Sequence, residues 1–325
     1  MKIESIKGFG AFGVSATGVK YPFDINEMLE LKELLKEQLI LVLPKINYTV
    51  KQCYELSGML GTIWKGGLSF DEKDTDQGSY KNEEGYPLYP GLHRVTAERT
   101  ADGTVDGISP GFSKQLNWHC AEVERDKING KELPLADFVG LHGVKGTEGS
   151  VTQVCQMIDR FKKETSVKQQ ELRDTIMQWG YVDGDEGVLP ADPDDLEYSD
   201  YKKELYRDLS ASRGHSKKQP LVQVLVNGHE GLHFSPSQIN GIVDGDEHSF
   251  NELKNYIATE YIQDKYIYNH AWQDGDIFYM DQKVCIHRRT DIKGNLTGLN
   301  LSQLQKRLLH HIEIYTDENN PYTKR

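Results

Sequence analysis

Apolar positions along the chain switch between two periods. Near the start, Phe12, Val14 and Ala16 fall on one face of a strand, among Gly10, Gly13 and Gly18. Over Asn26–Gln38 (NEMLELKELLKEQ) the spacing becomes helical, with Met28, Leu31 and Leu35 in register and Leu34 widening the stripe. Leu39–Leu43 is a continuous apolar run of strand length. A second helix is predicted over Val50–Leu60, stopped by Gly61, which completes a βαβα opening. Residues 70–110 are rich in Gly, Asp, Lys, Tyr and Pro and read as long loops with short strands. Strands are predicted at Leu116–Ala121 and Phe138–Val144, and a helix over Val154–Lys163 after the turn at Gly146–Gly149. Leu221–Val226 reads as a buried strand and Ser249–Asp264 as an amphipathic helix. Tyr266–Ala271, Asp276–Met280 with Val284–His287, and Leu308–Tyr315 are strand-like runs that close the chain.

These strands are scattered through the sequence and separated by long insertions. The pattern lacks the regular alternation of a doubly wound α/β fold. It predicts a mostly β chain with flanking helices, a double-stranded β-helix (jelly roll, cupin-like), as a single domain over 1–325. Within it, 174–218 is expected to be an acidic insert or lid. Its centre, Asp183–Asp208, carries ten acidic residues and two prolines. A merely solvated acidic excursion would have the same composition.

Composition narrows the function classes. At 37% hydrophobic and 27% charged, the 325 residues are ordinary for a globular chain. The longest apolar stretch, Leu39–Pro44, is far shorter than a membrane span. The start, MKIESIKGFG, lacks a signal-peptide core, so a cytoplasmic address and no membrane partner are expected. A net charge of −12 without clustered Lys or Arg argues against nucleic acid as a partner. The four cysteines (Cys53, Cys120, Cys155, Cys285) show no CxxC spacing. Reduced thiols packed as small hydrophobes are expected, not a zinc site or a disulfide framework.

Two of the eleven histidines stand out by context. His119 follows Trp118 in a strand-like segment. His287 ends a strand introduced by Trp272-Gln-Asp-Gly-Asp276 and Asp281-Gln282. Strand-borne histidines far apart in sequence can meet inside a barrel. With one carboxylate they form a facial triad that leaves three positions open on iron(II). A bidentate keto acid such as 2-oxoglutarate, together with dioxygen, requires those three positions. The far carboxylate of that co-substrate needs an anchor, and the guanidinium of Arg307 matches it bidentately. The hydroxyl of Thr152 can add a hydrogen bond.

Several blocks resemble the taurine dioxygenase (TauD/TfdA-like) family, which includes the 2,4-dichlorophenoxyacetate dioxygenases. GFGAFGVSATGV, a helix, and LILVLPKINYTVKQCYELSGMLG are similar to its N-terminal strand–helix–strand–helix pattern. LNWHC resembles its first ligand strand, and GTEGSVTQVCQMIDRF its Gly-rich turn and co-substrate threonine. VLVNGHEGLHFSPSQINGI and HAWQDGDIFYMDQKVCIHR resemble its C-terminal half, including the W-x-x-GD and D-N/Q-x-x-x-x-H signatures. QKRLLHHIEI resembles the strand that opens with the co-substrate arginine. The likeness covers most of the chain. It implies an Fe(II)/2-oxoglutarate-dependent oxidoreductase acting on a small molecule with dioxygen. His119 and His287 would be the metal ligands, and Thr152 and Arg307 would hold 2-oxoglutarate. The gap from His287 to Arg307 is longer than the family's usual one, and Arg288 and Arg289 compete for the anchor role.

One departure bears on the outcome. The family reads His-x-Asp or His-x-Glu at the first ligand, whereas this chain reads His119-Cys120-Ala121-Glu122. Three arrangements follow. A bulge brings Glu122 onto the metal. Or Ala121 leaves a halide position, as in the related halogenases, with chloride on iron. Or Glu124 or Asp126 reaches in, or the site has degenerated. Hydroxylation follows from a bound carboxylate and halogenation from the open position. The expected substrate is a small polar metabolite such as an amino acid. Two rivals are a lapsed jelly-roll binding protein and a zinc hydrolase using the same histidines. Trp118, Trp272, His229 and His233 are candidates for the pocket wall, and Asp281 and Gln282 for orienting His287. His142 reads as a core histidine. Of the neighbours His310 and His311, one is expected buried near the co-substrate and the other solvated.

Overall fold

The computed structural model describes residues 1–64, 80–84, 86–96, 116–120, 127–128, 131–132, 135–179, 217–290 and 307–316. The chain begins β1 (Lys2–Ser5), β2 (Val14–Thr17), α1 (Ile25–Gln38), β3 (Ile40–Leu43), α2 (Val50–Leu60) and β4 (Thr62–Ile63). Next come β5 (Leu92–Thr96), β6 (Leu116–His119), β7 (Lys127–Ile128), β8 (Lys131–Glu132), β9 (Phe138–Lys145) and β10 (Val151–Gln156). Two short helices follow, α3 (Ile158–Phe161) and α4 (Ser166–Asp174), then β11 (Ile176–Trp179), β12 (Lys217–Pro220), β13 (Val222–Val224), β14 (Glu230–Leu232) and β15 (Ile239–Ile242). The remainder is α5 (Glu247–Glu260), β16 (Ile267–Ala271), β17 (Ile277–Asp281), β18 (Cys285–Thr290) and β19 (Leu308–Tyr315).

Two sheets face each other. The main sheet has the order β1-β2-β3-β17-β9-β19-β4, with β5 also paired to β19. The second has the order β16-β10-β18-β6. The β2–β3 pair is parallel, and β17, β9 and β19 run antiparallel to their neighbours. Val139, Phe278, Met280 and Leu309 from the main sheet share one core with Val154 and Cys285 from the second. This mostly β sandwich has the jelly-roll architecture.

The opening is built as its pattern predicts. Asp24 caps α1 by accepting from the backbone N–H groups of Asn26 and Glu27, and Met28, Leu31 and Leu35 are buried. Thr49 and Gln52 form a capping box at the start of α2. β3 is apolar throughout because both faces are covered. Ile40 and Val42 enter the core between the sheets, while Leu41 and Leu43 pack with the helices. All four cysteines are buried and free.

Some expectations need correction. Val154–Lys163 is not one helix: Val151–Gln156 is a central strand, and only Ile158–Phe161 is helical. Its β-branched residues sit between two antiparallel partners, and sheet pairing overrides the helix-like spacing. Leu221–Val226 is not a buried strand. β13 belongs to a two-stranded hairpin, and Val224 and Val226 are 59% and 45% exposed. The helix expected at Ser249–Asp264 starts and ends earlier, because Asp246 caps it by accepting from Ser249 N–H. Of the expected 174–218 insert, β11 and β12 pair with each other, and β11 also pairs with β15. Residues 180–216, including Asp183–Asp208, lie outside the described residues. Among the described residues, no helix is long and apolar enough to cross a membrane.

Candidate metal centre

The β6–β18 pairing sets His119 directly across from His287. Cross-strand partners share a face, and the two imidazole centroids lie 4.1 Å apart. On β18 the alternation puts Cys285, His287 and Arg289 toward the core between the sheets, while Ile286 joins the opposite core. His287 is 8% exposed, and its Nδ1 has no hydrogen-bond partner among the described residues. Burial, then the nearby His119 and His311, hold its basicity well below the usual imidazole range. A neutral, buried imidazole with an open nitrogen is the form that binds a metal. The described residues offer these two nitrogen donors and no cluster of three or more metal-ligating side chains. Ala121, Glu122, Glu124 and Asp126, on which the third-ligand alternatives fall, lie outside the described residues.

β10 is the other neighbour of β18, and it sets Val154 across from His287 and Thr152 across from Arg289. The Thr152 hydroxyl accepts from Trp272 Nε1 at 2.8 Å. Its own proton therefore stays available to donate to an anion. Arg307 immediately precedes β19, 8% exposed, with Nε lacking a partner among the described residues. Its backbone carbonyl accepts from the Thr96 hydroxyl at 2.9 Å, which ties it to β5. Burial first, then the charge of Arg289, lower its pKa to about 9. A buried guanidinium with an unmet donor fits an anionic ligand. Iron(II) at the two histidines and 2-oxoglutarate reaching toward Thr152 and Arg307 therefore suit the residues present.

The W-x-x-GD segment builds this end of the site. Trp272 holds Thr152. Asp274 accepts from the backbone N–H groups of Gly146 and Thr147 and from the Thr147 hydroxyl, latching the Gly-rich turn that feeds β10. Gly275 has φ +88° and lies against Asn47. Asp276 accepts from Lys45 and Gln273 N–H groups and pairs with His270 at 3.3 Å.

Other candidates lie elsewhere. Arg288 faces away from the centre, donating to Gln153 Oε1 at 2.6 Å with its guanidinium 4.5 Å over the Trp118 ring. Trp118 packs in the core behind the second sheet. Asp281 accepts from the backbone N–H groups of Lys283 and Val284, so it shapes the β17–β18 turn and does not orient His287. Gln282 donates its backbone N–H to the Asp137 carbonyl in the same turn. His233 donates through Nδ1 to the Lys283 carbonyl and stacks 4.3 Å from Trp179. His229 is beside Phe12 and Lys162. The expectation that one of His310 and His311 is buried near the co-substrate and the other solvated is not met. His310 is buried on the helix-covered face of the main sheet, with Nδ1 3.2 Å from His142 Nδ1 and Nε2 2.9 Å from the Tyr80 hydroxyl. His142 Nε2 in turn lies 3.6 Å from Cys53 Sγ. His311, half-buried, is the one whose charge reaches His287, and it pairs across strands with His93. His93 is not among the residues the sequence singles out, and Arg289 enters there only as a competitor for the anchor and His311 only as one of two alternatives. Counting alternate positions from Arg307 and His287 would have found His311 and Arg289.

The model of the taurine catabolism dioxygenase TauD, TfdA family matches residues 2–300, and the chain belongs to that family, whose members are Fe(II)- and 2-oxoglutarate-dependent dioxygenases. No curated protein matches. Among solved structures, the chain is similar to a taurine dioxygenase from Burkholderia xenovorans, with 14% identity, 97% of this chain and 89% of that one covered, and a TM-score of 0.64. It is also similar to AAD-2 in complex with Mn(II) and N-oxalylglycine, with 17% identity, 98% and 99% covered, and a TM-score of 0.64. At these identities the likeness supports the jelly-roll fold.

Proposed function

We propose that the protein uses iron(II) and 2-oxoglutarate to functionalise a C–H bond of a small polar metabolite, such as an amino acid. The observation that carries this reading is the pairing of His119 with His287 on a wall of the same interior that holds the buried, open Arg307. When bound, the metal and keto acid supply the oxidising power, consuming dioxygen and releasing succinate and carbon dioxide. His119 and His287 would hold the metal, and burial keeps His287 neutral. Thr152, fixed by Trp272, would donate its proton to the far carboxylate, and Arg307 would pair with it. The core of Val139, Phe278, Met280 and Leu309 excludes water from one side of that space.

Hydroxylation is the reading the family favours, with Glu122 completing the ligand set. Halogenation is the second reading, favoured by Ala121 standing where the family carries an acid. An anaerobic visible-absorption titration separates them. A charge-transfer band on adding iron(II) and 2-oxoglutarate is expected. A shift of that band by chloride supports the open position at Ala121, and insensitivity to chloride supports Glu122. Absence of the band, with no succinate formed in air, would return the lapsed binding protein and the zinc hydrolase to the lead.

A further inference from the structure

β6 ends the second sheet, and β18 is its one strand neighbour among the described residues. That pairing is broken just before His119. The three steps from Leu116 to His119 answer only two steps of β18, from Arg289 to His287. Such a bulge bends a strand and re-aims the side chains beside it. The open edge of a strand also leaves backbone C=O and N–H groups in need of partners. Here the two groups that flank His119, the Trp118 carbonyl and the Cys120 N–H, are met by one turn between β14 and β15. Ser237 donates its hydroxyl to the Trp118 carbonyl at 2.9 Å, and Gln238 Oε1 accepts from the Cys120 N–H at 2.9 Å. Ser235 donates to Gln238 Oε1 at 2.7 Å and so fixes the amide. The turn is closed by the Gln238 N–H on the Ser235 carbonyl at 3.0 Å, with Pro236 at its second position. Ser235, Ser237 and Gln238 are all buried.

We propose that the Ser235–Gln238 turn is a clasp that positions His119 and thereby sets how tightly the centre holds its metal. This rests on the reading of His119 and His287 as metal ligands. Neither Ser237 nor Gln238 touches the metal; both are positioning residues that act through the backbone of β6. The two histidines are placed by different means. His287 stands on β18 between β10 and β6, located by strand pairing on both sides. His119 stands on a bulged edge strand, where side chains replace the missing neighbour. A cap that served the fold alone could grip any part of that edge. This one grips the residues immediately before and after the ligand.

The test is a titration of the full metal-free chain with Co(II) alone under argon, read by its visible ligand-field bands. The variants are Gln238→Met, which keeps the volume and removes the acceptor, Ser237→Ala, and His119→Ala as the reference for a lost ligand. Melting of each metal-free variant is measured alongside. Gln238→Met is expected to weaken Co(II) by about tenfold or more and to shift the bands. Ser237→Ala should move both readouts in the same direction by less, and it carries the test if Gln238→Met does not fold. Lower melting temperatures with Co(II) affinity and bands unchanged overturn the clasp, because the turn would then serve the fold alone. Wild-type protein that takes up no Co(II), or His119→Ala protein that binds it as tightly as wild type, overturns the metal-ligand reading itself, and the clasp's role falls with it.

Discussion

His287, the proposed metal ligand, carries a feature that lowers the stability of the metal-free protein. Its Nδ1 is buried without a partner among the described residues, and an unmet buried polar atom costs about 1–3 kcal/mol. Metal-free protein should therefore gain from an apolar replacement. His287→Leu is expected to raise the unfolding free energy in chelator by about 1 kcal/mol, read by denaturant titration, while abolishing metal binding. A loss of stability instead would show that the ring packs more tightly than its open nitrogen costs. Trp272 makes a different kind of contribution. Its Nε1–H leaves the Thr152 hydroxyl no choice but to donate elsewhere. Trp272→Phe removes a hydrogen bond of about 1 kcal/mol, so 2-oxoglutarate affinity should fall roughly fivefold. Calorimetry on the metal-loaded protein checks this.

At the scale of elements, the turn Gln273–Asp276 ties three segments together. It reaches the Gly-rich turn through Asp274, Lys45 through Asp276, and Asn47 through the close approach of Gly275. A Cβ at Gly275 would meet the Asn47 side chain and lie 3.0 Å from its backbone nitrogen, at a φ of +88°. Gly275→Ala is expected to cost about 1–3 kcal/mol, with a drop in co-substrate affinity because Trp272 shifts with the turn. A melting curve and a binding isotherm test the two parts. Such elements differ in how legible they were. α1, α2 and β3 follow local rules: caps, a 3.6-residue stripe and a doubly covered apolar run. The W-x-x-GD block was visible as a motif, though its bonds to β10 and to Lys45 were not. β10 was misread because Val154, Ile158 and Phe161 satisfy helical spacing, and only its two strand partners decide otherwise. Site residues divide along the same line. His119, His287, Thr152 and Arg307 stood out by motif, whereas His311 and Arg289 depend on which face their strands turn inward. The family resemblance makes His233 a candidate wall residue, yet its position depends on a stacking partner more than fifty residues away in sequence.

For the whole molecule, buried histidines set the response to acid. Burial holds His142 down to about 4, and burial with His142 and Arg94 nearby holds His310 to about 3. His233, buried against Trp179, is also held to about 3. Their folded pKa values lie below the unfolded value of about 6.5, so the unfolded chain takes up protons first as pH falls. Their stabilising contribution is complete above pH 6.5 and is lost as pH drops toward 4 and 3. Asp281 opposes them. Burial raises its pKa to about 7, so its contribution favours folding below about pH 4 and is lost as pH rises to 7. Each group changes stability by about 1.4 kcal/mol per pH unit across its window. Three histidines outweigh one aspartate between pH 4 and 6.5. Unfolding free energy should therefore rise from pH 5 to pH 6.5, and His142→Gln should flatten that rise. Urea unfolding at the two pH values decides it.

The pair of histidines behind the main sheet belongs to a longer row with a sense of direction. The Cys53 thiol donates to the Tyr48 carbonyl at 3.9 Å, so its sulfur is left to accept from His142 Nε2–H. His142 Nδ1 must then accept from His310 Nδ1–H, and His310 Nε2 from the Tyr80 hydroxyl. The hydrogens run head to tail like coupled carriages, and none can turn around without its neighbours. Two adjacent imidazoles of the same protein are thus locked into opposite tautomers. Their ring nitrogens should give opposite nitrogen-15 signatures that stay fixed while the metal centre on the other face is loaded and emptied.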